Sequence, residues 1–80
     1  MFNVLDSVVL THDLPEAGLR RGDLGAIVDI PAPDTFEVEF VAASGRTQAL
    51  ITLGSVDIRN IGDQDLIAVR TLEQGRKLTR

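Results

Sequence analysis

Residues 22–53, GDLGAIVDIPAPDTFEVEFVAASGRTQALITL, hold three successive runs of strand character, 26–30, 36–41 and 48–53, entered through a Gly22-x-x-Gly25 corner. Phe36, Val38 and Phe40 alternate with Glu37 and Glu39. This is the cleanest period of two in the chain, so the aromatic side chains belong inside and the carboxylates outside. In residues 26–30, simple alternation sets Ala26, Val28 and Ile30 on one face and Ile27 and Asp29 on the other. That reading expects Val28, Ile30 and Ile51 to share a core with Phe36, Val38 and Phe40. Pro31 and Pro33 cannot donate to a ladder and mark a connector or an exposed edge. AASGR, residues 42–46, has hairpin-loop length, with Gly45 suited to a left-handed position. The more uniformly apolar QALITL, residues 48–53, is what a strand covered on both faces or near a barrel seam requires.

Upstream, residues 8–11 read as a first strand, preceded by Phe2, Val4 and Leu5, which need cover on the barrel or on a neighbouring chain. Residues 12–25, HDLPEAGLRRGDLG, sustain no period and form a long ordered loop with Leu14 and Leu19 as its anchors. Downstream, residues 54–56 are expected to make a single helical turn before a short strand at 57–61. The β-branched Ile67 and Val69 make 66–70 a terminal strand, with a helix over 65–74, capped by Asp63 or Asp65 and stopped by Gly75, as the rival. Five or six short antiparallel strands with a long loop after the first leave no open edge if the sheet curls on itself. The expected fold is therefore all-β, a small SH3-like barrel.

Eighty residues make one domain, because two cores would each bury too little. The expected extent is 1–74, including the terminal strand, with 75–80 a disordered basic tail. Without cysteine there is neither a disulfide nor a thiolate metal site. MFNVLDSVVL lacks a basic n-region and is interrupted by Asn3, Asp6 and Ser7, so neither a signal peptide nor a membrane span is expected, and a cytoplasmic location is the default. Charge is uneven: residues 1–65 carry four basic against eleven acidic side chains, residues 66–80 four against one. An acidic body repels a phosphate backbone.

The runs LTHDLPEAGLRRGDLGAIVDI, FEVEFVAASGRTQALITL, DIRNI and LIAVR together resemble a family of short bacterial and archaeal domains of unknown function, over roughly residues 5–70. The resemblance implies an SH3-like fold and no catalytic residues. It further implies genes set beside other small reading frames, hence an accessory, antitoxin or immunity-type role with another small bacterial protein.

Few residues suggest chemistry. His12 is the lone histidine, beside Asp13 and near Glu16, whereas zinc sites use several His or Cys ligands. No serine has a histidine at a spacing that argues for a nucleophile and base. Gly18, Gly22 and Gly25 with Arg20 and Arg21 match neither the dinucleotide fingerprint nor the Walker pattern. The expectation is thus a non-enzymatic binding module without metal or cofactor. Its candidate partner-binding residues are Leu14, Pro15, Glu16, Leu19, Arg20 and Arg21 on the loop and Asp29, Glu37 and Glu39 on the outer face. The partner is another protein, with homodimerisation through the chain ends as a further expectation. A nucleic-acid-binding barrel is the alternative; it is disfavoured by the acidic body and by the lack of Trp and Tyr for base stacking.

Overall fold

Phe36, Val38 and Phe40 are all buried and the glutamates between them are not, so the alternation read from the sequence sets the two faces of β3 (Thr35–Val41). The computed structural model describes residues 1–72. Around β3 are β1 (Ser7–Leu10), β2 (Leu24–Ala32), β4 (Thr47–Leu53) and β5 (Ile58–Asn60). Among these residues all pairings are antiparallel, in the order β4-β3-β2-β1-β5, and the one helical element is a 3-10 turn at Pro15–Ala17. The chain is all-β. Its sheet is open among the described residues, with β4 at one edge and β5 at the other. After β4 the chain crosses to β1 through a hydrogen-bonded turn at residues 55–57, in place of the expected helical turn at 54–56, so β5 pairs with β1 and not with β4.

The curvature comes from β2, whose residues 24–26 pair with β1 while 26–32 pair with β3. Ile27 faces Val38 and Asp29 faces Glu37, so Val28 is an extra residue, a β-bulge. This corrects the expected face: Ile27 is fully buried, Val28 is 39% exposed, and Ile30 returns to pack partly on the core. A bulge inverts the phase of every residue beyond it, which simple alternation cannot register. Ile51 packs partly against the core, as expected. Pro31 lies inside β2, past the expected stop, where β1 no longer pairs with the strand and a missing donor is tolerated.

The core consists of Val8, Leu10, Leu19, Ile27, Phe36, Val38, Phe40, Leu53 and Ile58. Gly25 is needed there for space: a Cβ would sit 2.8 Å from both the Phe40 ring and a Val38 methyl. Phe2 closes one side, edge-on to Phe36 at 5.1 Å between ring centroids. The hairpin turns use Asp34 (φ 56°) and Gly45 (φ 91°), the left-handed residues such turns require.

Residues 66–70 are not the expected terminal strand, and residues 65–72 are not the rival helix. Leu66, Ile67 and Val69 are exposed, and Arg70 holds the segment by its side chain, not by a ladder. The expected tail at 75–80 lies outside the described residues. No helix among those residues is long and apolar enough to cross a membrane.

Candidate functional site

The loop after β1 folds back on itself through two hydrogen bonds of 3.0 Å between the backbones of Leu14 and Leu19. Leu19 is 3% exposed and Leu14 packs against the core. Leu19 is therefore taken up by the core, while Leu14, only partly buried, keeps part of its side chain at the surface. Pro15, Glu16, Arg20 and Arg21 remain exposed on the loop. Its shape is fixed by carboxylates: Asp13 accepts from the Arg21 backbone and Asp23 from the Arg20 backbone, each at 2.8 Å.

Asp29, Glu37 and Glu39 share the outer face, with Asp29 directly opposite Glu37. The Thr52 hydroxyl donates to Glu37 at 2.8 Å and the Thr47 hydroxyl to Glu39 at 2.6 Å, so both glutamates lean toward β4. The stripe lies on strands and the exposed loop residues lie at the 3-10 turn (Pro15, Glu16) and just after it (Arg20, Arg21), so the candidates fall on two separate regions.

His12 is a clasp. Its Nε2 lies 2.7 Å from an Asp57 carboxylate oxygen and its Nδ1 3.0 Å from the Asp13 carbonyl. Both neighbours are acceptors, so the doubly protonated ring is favoured. The Asp57 hydrogen bond, then the Asp13 carbonyl, raise the pKa of His12 above its ordinary value. The Gly54 amide, then His12, lower that of Asp57. With Thr11 Oγ1 donating to the Val56 carbonyl at 2.7 Å, the clasp ties the end of β1 to the turn before β5. No group of three or more His, Asp or Glu among the described residues could hold a metal ion.

The feature that sequence reasoning missed is on the opposite side of the sheet from the core. Val9 on β1 pairs with Leu24 on β2 and Arg59 on β5, and Val41 lies at the corresponding end of β3. Residues 61–72 run over this outer row as a strap. Arg59 donates to both Asp65 oxygens at 2.8 and 2.9 Å. Arg70 donates to both Asp23 oxygens at 2.8 and 2.6 Å and to the Gly18 carbonyl at 3.0 Å. Under the strap Val9 is buried even though it points away from the core. Beside it lies an open groove of about 520 Å³, lined by Leu24, Phe40, Val41, Ala42, Val69 and Leu72 among others. The signal that marks this region in the sequence is an apolar residue at an outward phase: Leu24, two before Ala26, and Val41, two after Glu39.

The strap is an acid-sensitive element. Arg59, then the Gly62 amide, bring the Asp65 carboxyl from 3.8 to about 2. Asp23 is partly buried, which opposes ionisation, yet Arg70 and the Arg20 amide bring it below its ordinary value. Groups with depressed folded pKa values stabilise above the unfolded value and lose that contribution as pH falls through the folded one. The strap is expected to stay fixed above pH 3.8 and to loosen as pH falls toward about 2. Arg70→Ala should loosen it at neutral pH, costing about 1.5 to 3 kcal/mol for this largely covered bidentate pair. Heteronuclear 15N NOEs at residues 66–72 should fall in both cases while those of β3 stay high; unchanged values contradict the anchoring.

A family model described as a domain of unknown function matches residues 4–60. No curated protein and no solved structure matches the chain.

Proposed function

The chain belongs to the DUF4926 family of domains of unknown function, and on that premise we propose that it is a non-enzymatic protein-binding module built as a partly open SH3-like barrel. The SH3-like reading is supported by a five-stranded meander that bends at β2 and brings β5 back beside β1. The observation that carries the function is the apolar groove between the strap and the ends of β2 and β3. Val41 is 51% exposed, Leu24 45% and Val69 97%, so apolar side chains stand open together along the groove, where a partner's apolar side chains could be covered. The carboxylates of Glu37 and Glu39 stand on the same outer face, so the partner is a protein presenting apolar side chains flanked by basic ones. A phosphate backbone meets repulsion from the same carboxylates.

The test is capture from the source cells on immobilised wild type and on Val41→Asp, a substitution at a half-exposed position outside the core whose fold is checked by circular dichroism. A protein retained by the wild type at equal loading should be lost by at least about tenfold from the variant, since a hot-spot contact is worth about 2 kcal/mol or more. Equal retention by both removes the groove from the interface.

A further inference from the structure

We propose that β4 is a self-pairing edge, at which a second copy of this chain adds antiparallel to residues 49–53 about a two-fold axis at Ile51. The proposal does not depend on what occupies the groove. The two edges of the sheet are protected very differently. β5 is three residues long, carries Arg59, and its Asn60 side chain reaches the Met1 carbonyl at 3.4 Å. Shortness and charge are the usual devices that keep an edge from pairing. β4 is seven residues long and contains no charged residue and no proline. Its one irregularity is at Gln48, the extra residue between the pairs Phe40 with Ala49 and Val41 with Thr47, whose side chain turns to the Ala17 carbonyl. That bulge blunts the start of the strand and leaves residues 49–53 as the regular edge.

A two-fold interface must be complementary to itself. With the axis at Ile51, the inner face sets Ile51 against Ile51 and Ala49 against Leu53. The outer face sets Leu50, which is 60% exposed, against Thr52. No like charges meet at any pair. Glu37 and Glu39, bound to Thr52 and Thr47, belong to β3. The two β3 strands stand three strand spacings apart, about 14 Å, which exceeds a Debye length of about 8 Å at physiological salt. Electrostatics that exclude an acidic chain from most of this surface therefore permit it at β4. A five-residue pairing buries less than a standard interface, so the association is weak and rises with concentration.

Sedimentation equilibrium of the full chain, combined with amide exchange at low and high concentration, tests it. The mass is expected to climb from 8.7 kDa toward twice that value, with added protection confined to residues 49–53. Leu50→Lys, at an exposed position opposite the chain's own Glu39, should weaken the dimer by at least about tenfold by placing a charge along the edge. Val69→Lys, on the strap, should leave it unchanged. The proposal is overturned by a single 8.7 kDa species at the highest soluble concentration. It is equally overturned by a dimer that Leu50→Lys does not weaken, or by one that Val69→Lys abolishes with protection appearing at residues 66–72.

Discussion

Phe40→Ala is expected to remove about 3 to 5 kcal/mol of stability, out of roughly 4 to 12 kcal/mol for a chain of this length. Phe40 is 2% exposed, pairs with Ala49 on β4 and lies against the Cα of Gly25 on β2, so it joins three strands by one ring. Both neighbours are small, and neither can expand into the space the ring leaves. A cavity that cannot collapse sets the upper part of that range. Urea denaturation of the variant should show a midpoint shifted far below that of the wild type, or a chain already unfolded. A loss under about 1 kcal/mol would mean that the ring is not in the core.

The second large effect separates two adjacent residues. Ile27→Ala should cost about 2 to 5 kcal/mol, and Val28→Ala less than about 1 kcal/mol. Ile27 has no exposed surface and faces Val38, whereas Val28 is the bulged residue and points to solvent. Denaturation of the two variants side by side gives the answer. The opposite ranking would restore simple alternation through residues 26–30 and abolish the bulge on which the bend of β2 depends.

Most of the sheet was legible because its signals are local. The Phe-x-Val-x-Phe alternation, Gly45 in the β3 to β4 turn and the loop anchors Leu14 and Leu19 each depend on neighbours a few residues away. The phase of β2 was not legible, because nothing in AIVDI says which residue is the extra one; that is decided by pairing with β3. The strap was hidden for a related reason. Residues 66–70 have strand composition, but their placement follows from Arg70 meeting Asp23, 47 positions earlier, and Arg59 meeting Asp65. Of the candidate site, the outward carboxylates Asp29, Glu37 and Glu39 and the exposed Pro15, Glu16, Arg20 and Arg21 stand on the surface where the pattern set them. The groove was missed because Leu24 was read into the long loop and Val41 as the last residue of a strand, not as apolar residues at an outward phase.

The central claim is that the groove beside the strap is where a partner docks. Its most direct test is amide chemical-shift mapping of the isotopically labelled chain as the captured protein is titrated in. The account predicts perturbations grouped at Leu24, Val41, Ala42 and residues 68–72, the walls of the groove, with the 3-10 turn at Pro15–Ala17 unmoved. Perturbations confined to residues 15–21, with the groove residues unshifted, would contradict it.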